Sequence, residues 1–227
     1  MTISFKKIEL AREEVFASCG CGKGCGKCSG KLKFVDKMAE AHIPVMYWTL
    51  KMSDFSGAKN IKDSIIGYTT DLDRHYKNGT NVCLSGTLGT GKTYGLTNIL
   101  KAALSSGYVA YYTTLSEMVH ELTSNLTKFS TNQVLLQADF LAIDEVDSRH
   151  IAQSDAAQDF YGTIFERILR SRLQNRLPTL LATNNSNLED AFGKQFRKII
   201  ESLSASCMMV VPALGQDYRI VGDKNGT

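Results

Sequence analysis

The sequence predicts an α/β fold: a parallel five-stranded sheet covered by helices on both faces, with a small cysteine-rich module in front of it. Three observations predict it. Short apolar runs of strand length alternate with segments of helical periodicity from about residue 80 onward. The first such run leads directly into GTLGTGKT, a glycine-rich turn that opens a helix. Four of the six cysteines fall between Cys19 and Cys28, in a stretch otherwise poor in apolar residues.

The elements follow in chain order. FKKIELAREEVF, residues 5–16, is a possible first helix, and the glycine-rich cysteine loop comes after it. Residues 1–42 are accordingly expected to form a cysteine-rich metal-binding module and linker, and residues 43–227 the main domain. IPVMYWTLKMSDF, from Ile43, brings a proline and large apolar groups, and NIKDSIIGYTTDLDRHYKNG reads as a helix ending at Asn78-Gly79. Strands are expected at 81–85, 108–113, 139–144, 179–183 and 207–211. Helices are expected at 92–105, at 115–126 and from about Ala156 to Arg176, where Phe160, Ile164, Phe165, Ile168, Leu169 and Leu173 make a stripe at helical spacing. Cys83 and Cys207 lie inside apolar runs and read as small buried hydrophobes.

Composition narrows the function classes. With 227 residues and 43% hydrophobic content the chain can bury one sizeable core. A net charge of +3 is too small for nucleic-acid affinity to be read from composition, so any such contact must come from local clusters. No run reaches the roughly 18 apolar residues of a membrane helix, and MTISFKKIELAREE carries charges where a signal peptide has its apolar centre, so a cytoplasmic protein without membrane contact is expected.

The chemistry begins at GTLGTGKT. A strand-to-helix turn of this kind points backbone amides at an anion, and the helix that follows adds the positive end of its dipole. Gly86, Thr87, Gly89, Thr90, Gly91, Lys92, Thr93 and Tyr94 are expected to surround the phosphates of a nucleotide, with Lys92 reaching the β and γ phosphates and the Thr93 hydroxyl ligating Mg2+. FLAIDEVD supplies the second anchor: Asp144 ends an apolar strand and can hold Mg2+ through water, while Glu145 can polarise an attacking water. Adjacent carboxylates at that place favour hydrolysis over nucleotide storage. TLLATNN ends in Asn184 and Asn185, and a strand-tip amide such as Asn184 can orient the water or sense the γ-phosphate, although the same residues are good turn formers.

The cysteines have the form CxCx3CxxC. Four thiolates at Cys19, Cys21, Cys25 and Cys28 can close tetrahedrally on Zn2+, with glycines permitting the sharp turns and lysines favouring the thiolate form. An iron–sulfur cluster and an unordered loop of reduced cysteines are the alternatives, and His42 is a possible substitute ligand.

On IPVMYWTLKMSDF, LSGTLGTGKT, LAIDEVD, RSRLQNRLPTLLATNN and VVPALGQDYR the sequence resembles the AAA+ ATPases of the DnaC/IstB family, bacterial and phage replicative helicase loaders and their transposition-helper relatives. The resemblance covers about residues 43–219. It implies ATP as the nucleotide, a sheet of order 5-1-4-3-2, no separate helical lid, and homo-oligomeric rings or spirals with ATP between neighbours. It also implies single-stranded DNA and a replicative DNA helicase as partners, the latter gripped by the N-terminal module. In such assemblies an arginine from one subunit completes the neighbour's site. Here FGKQFRKIIESLSAS departs from the family: Ser202 stands where the second of two arginines is usual and Lys198 near the first. Arg197 is the best remaining candidate, with Arg170 and Arg172 as competitors, and each could equally be a solvated helix charge. For DNA the segment after the second strand offers Lys128 beside Phe129, and Lys194–Lys198 is a denser basic patch that overlaps the proposed arginine. A transposition helper clamping duplex DNA, and a nucleotide-gated adaptor with negligible turnover, are the competing functions; a small-molecule kinase is disfavoured by the acidic pair.

Overall fold

The computed structural model describes residues 3–21, 25–123, 128–147, 155–185 and 208–213. Two helices open the chain, α1 (Phe5–Cys19) and α2 (Gly26–Glu40). They are followed by α3 (Lys59–Thr70), α4 (Leu72–Asn78), β1 (Asn81–Gly86), α5 (Lys92–Ser105), β2 (Ala110–Thr114), α6 (Leu115–Thr123), α7 (Lys128–Gln137), β3 (Phe140–Asp144), α8 (Asp155–Gln174), β4 (Thr179–Thr183) and β5 (Met208–Ala213). The strands form one parallel sheet of order β2-β3-β4-β1-β5, the expected order counted from the other edge.

The strand sequences are almost wholly apolar because both faces are covered, yet the period of two still sorts them. Val82, Leu84, Tyr112, Phe140, Ala142, Leu180 and Ala182 face a core closed by α3 and α5, with Ile61, Ile65, Leu96, Ile99 and Leu100. Cys83, Tyr111, Leu141, Ile143 and Leu181 face the opposite core, closed by α6, α7 and α8 with Leu115, Met118, Leu135, Phe165, Ile168 and Leu169. Cys83 is buried as expected, and burial pushes its thiol up to about 12. Cys207 and the side chain of Phe160 lie outside the described residues.

The elements depart from expectation in three places. The helix expected across 60–79 breaks at Asp71, whose φ of −109° and ψ of 33° leave the helical region, and α4 then ends where expected, on Gly79 in the left-handed conformation. Helix α7 was not foreseen. Nor was α2, whose buried positions Cys28, Val35 and Met38 keep helical spacing among lysines and glycines that hide it. Val35, Met38, Ala41 and Ile43 belong to the same core as Leu96 and Ile99, so α2 leans on the sheet domain. Among the described residues no helix is long and apolar enough to cross a membrane.

Candidate functional site

The ends of β1, β3 and β4 meet at one corner. β1 lies between β4 and β5, with Ser85 level with Thr183 and Gly86 level with Ala213. This is the place where strand order reverses, and where open parallel sheets bind ligands. Gly86 has φ 136°, and a Cβ there would stand 2.6 Å from the Ala213 carbonyl oxygen. Gly91 has φ 91°, and a Cβ there would strike the Phe55 ring at 2.5 Å. Both glycines are therefore required by close approach as well as by backbone angle.

Lys92 is buried, and its ammonium donates to the carbonyl oxygens of Gly86 at 2.9 Å and Thr87 at 2.6 Å. The Thr90 hydroxyl donates to the Thr87 oxygen at 2.9 Å, so the loop is braced from within. The first helical bond of α5 runs from Gly95 N–H to Gly91 at 2.9 Å, which leaves the amides of Lys92, Thr93 and Tyr94 ahead of it at the positive end of the helix. The Tyr94 side chain turns the other way: its hydroxyl donates to the Lys51 carbonyl, and its ring meets Phe55 edge-on at 5.1 Å.

Across the corner, Thr93 Oγ1 donates to Asp144 Oδ2 at 2.6 Å, and the Glu145 N–H donates to Asp144 Oδ1 at 2.8 Å. Asp144 is buried, whereas Glu145 is exposed and holds a left-handed φ of 52°. Such a backbone in a glutamate costs roughly 1–3 kcal/mol and is sustained by its surroundings. Here the Val146 N–H donates to the Ala182 oxygen at 2.8 Å and pins the turn to β4. Asn184 follows directly on β4, flanked by the ends of β1 and β3. Its neighbour Asn185 is the anchored one, donating from Nδ2 to Asp147 Oδ2 at 3.2 Å and from its N–H to Thr183 Oγ1 at 3.2 Å.

Several groups at this corner were not singled out from sequence. Asp147 is buried beneath Asn185, and its signal was the third acid of DEVD. Tyr112 donates its hydroxyl to Asp144 Oδ2 at 2.9 Å. Phe55 and the segment around it clasp the loop, with the Ala58 N–H donating to the Thr90 oxygen at 3.1 Å. Lys101, on the helix that the loop opens, donates to the Tyr47 oxygen at 2.7 Å and to that of Leu50; burial draws its amine down to about 8.

Of the competing arginines, Arg172 is corrected to a structural role. It is fully buried, donating to the oxygens of Leu135 (3.0 Å), Ala138 (2.9 Å) and Pro178 (2.8 Å) and to Thr179 Oγ1 (3.0 Å), so it cannot reach a neighbouring subunit. Arg170 is on the surface, paired with Glu166 at 2.6 Å. Arg197, Lys198, Ser202 and the Lys194–Lys198 run lie outside the described residues, as do the side chains of Lys128 and Phe129.

The four cysteines come together. The sulfurs of Cys19, Cys21, Cys25 and Cys28 all lie within 4.8 Å of one another, with Cys19 to Cys25 at 3.5 Å and Cys21 to Cys28 at 3.2 Å, and none is in a disulfide. Tetrahedral zinc, with Zn–S of about 2.3 Å, sets its sulfurs about 3.8 Å apart, so the cluster fits the ion. Gly20, at φ 64°, ends α1 and starts the turn, while Cys25 and Cys28 sit on the positive end of α2. His42 is not a ligand: it follows the far end of α2, about 22 Å along a helix of that length, and its Nδ1 faces the Tyr111 hydroxyl at 3.1 Å. A separate cavity of about 880 Å3 lies under α1 and α2, lined among others by Val15, Phe34, Met38, Trp48 and Lys101, away from the phosphate loop.

The sheet order, the glycine loop on β1 and the Thr93–Asp144 pair define a P-loop nucleotide-binding protein of AAA+ architecture. The profile of the IstB-like ATP binding proteins matches residues 30–190, and the chain belongs to that family. No curated protein matches it. Among solved structures it is similar to the crystal structure of DnaI, with 19% identity and a TM-score of 0.62, over 78% of this chain and 94% of that one. It is similar to the DnaC helicase loader at 16% identity and TM-score 0.60, over 73% of this chain and 98% of that one. It is also similar to the replication initiator DnaA bound to AMPPCP and single-stranded DNA, at 15% identity and TM-score 0.59, over 80% of this chain. The chain spans only 55% of that DnaA chain, and likeness at such identities establishes the fold.

Proposed function

We propose that the protein is an ATP-hydrolysing helicase loader of the cytoplasm: its cysteine module docks on a replicative DNA helicase, and its ATPase domain assembles as a homo-oligomer on single-stranded DNA. The observation that carries the hydrolytic part is the 2.6 Å contact between Thr93 and Asp144, with Glu145 exposed beside it. Those oxygens are the hard donors Mg2+ takes, and the ion when bound with ATP neutralises charge on the β and γ phosphates. Lys92 exchanges the Gly86 and Thr87 carbonyls for the phosphates. Glu145 accepts the proton of a water, oriented by Asn184, as its oxygen bonds to the γ-phosphorus; the bond to the bridging oxygen breaks, and ADP and phosphate leave. Arg197 of a neighbouring subunit is the proposed stabiliser of the developing charge. Lys128 and Phe129 are the proposed single-strand contacts. Cys19, Cys21, Cys25 and Cys28 would hold the Zn2+ that shapes the module.

The loader reading draws on the fold shared with the DnaC helicase loader over nearly all of that chain. A transposition helper is the second reading, favoured by the family profile itself. Turnover measured with single-stranded and with duplex DNA, together with capture of a replicative helicase, separates the two. Stimulation by single strands and capture that is lost on Cys28→Ser supports the loader. Stimulation by duplex alone, without capture, overturns it in favour of the helper, and negligible turnover with an activity that barely responds to Glu145→Gln identifies a nucleotide-gated adaptor.

A further inference from the structure

Asp144 carries more partners than its expected role requires. Its Oδ1 accepts the Glu145 N–H at 2.8 Å, and its Oδ2 accepts both the Thr93 hydroxyl at 2.6 Å and the Tyr112 hydroxyl at 2.9 Å. The last contact comes from a different strand. Tyr112 is paired in register with Ala142, two residues before Asp144 on the same face of β3. Asp144 is thus the diagonal neighbour of Tyr112, within the reach of an aromatic side chain, and the residue level with the tyrosine is a small alanine.

Tyr112 is itself immobilised. It is buried, its ring belongs to the core beneath α5, and its backbone N–H donates to the Ala41 oxygen at 2.8 Å just after α2. Its hydroxyl has one proton to give, and Asp144 Oδ2 takes it.

We propose that Tyr112 is a positioning residue for the divalent cation of this site, holding the Asp144 carboxylate in the orientation that the cation's water shell meets. The inference rests on the Mg2+-ATP reading above. A threonine hydroxyl has one proton and two lone pairs, so Thr93 can turn a lone pair to the cation while still donating to Oδ2. That single mobile hydroxyl is a poor guide for the carboxylate by itself. The Tyr112 hydroxyl, fixed on the edge strand and directed at the same oxygen, removes the remaining rotation. Partners of this kind behind a metal-binding group set its affinity by about ten- to a hundredfold.

Tyr112→Phe removes the one donor and keeps the ring. The test is a Mg2+ titration of the affinity for a fluorescent ATP analogue, in wild type, Tyr112→Phe, Asp144→Asn and the double variant, each also measured in EDTA. The half-saturating Mg2+ concentration is expected to rise about tenfold in Tyr112→Phe, with the affinity in EDTA unchanged. Tyr112→Phe is further expected to add nothing in the Asp144→Asn background, because the effect passes through that carboxylate. An unchanged Mg2+ half-saturation, or a loss of affinity that is equal with and without Mg2+ and additive to Asp144→Asn, overturns the proposal. Wild-type affinity that ignores Mg2+ altogether overturns the Mg2+-ATP reading first and this inference with it.

Discussion

The nucleotide corner and the cysteine hairpin are built by opposite means. At the corner Lys92, Thr90, Asp144 and Asp147 are buried, and the groups that position them belong to the strands and helices of one sheet. In the hairpin α1 has no buried residue, α2 has only Cys28, Val35 and Met38, and what lies between them is four converging sulfurs. One site is a by-product of the core, and its geometry exists before any ligand arrives. The other has little apolar surface with which to fix its own turn, and the proposed Zn2+ would fix it through the four sulfurs.

Breaking each half separately sharpens the contrast. The largest effect is expected from Glu145→Gln, which should lower ATP turnover on the order of a thousandfold in a phosphate-release assay and leave nucleotide binding intact, because the residue is exposed and supports no packing. Next comes Arg172→Met behind the sheet. It strands the carbonyls of Leu135, Ala138 and Pro178, and urea denaturation should report a loss of about 3 kcal/mol or more with the hairpin's cysteines untouched. Chelation of zinc, or Cys28→Ser, should do the converse, removing a low-temperature step of helix signal while ATP affinity stays constant.

The smallest effect concerns the segment that follows the hairpin, where Lys101 holds the oxygens of Tyr47 and Leu50. Its amine titrates near 8 in the folded protein and near its usual 10.5 when unfolded, so the unfolded chain binds the extra proton between those values. The burden of a buried charge is thus fully present below pH 8 and is relieved as pH rises toward 10.5. Stability should climb across that window by an amount on the order of 1 kcal/mol after solvent screening, and Lys101→Met should flatten the climb.

What was legible in the sequence follows the same division. The strand runs, α5 and the pair of Thr93 and Asp144 could be read because an alternating apolar pattern and a phosphate turn are local signals. The cysteine cluster was legible by spacing alone. Helix α2 was not, since its apolar stripe is only three residues wide among lysines. Tyr112, Phe55 and Lys101 escaped for another reason: each acts on a residue distant in the chain, through a sheet register or a docked segment that no local pattern encodes. Arg172 looked like any surface charge on an amphipathic helix until the acceptors around it were in view.

The pairing of Gly86 with Ala213 has a consequence for how the protein is born. The phosphate turn follows the first strand of the sheet, but the strand that walls it, and whose carbonyl requires Gly86 to be a glycine, is the last of the five to be made. Its loop closure is the most distant in the sheet, and contacts of that kind form slowly. In the nascent domain β1 therefore waits with that edge unpaired until β5 has been made, and the wall of the phosphate turn is completed only then.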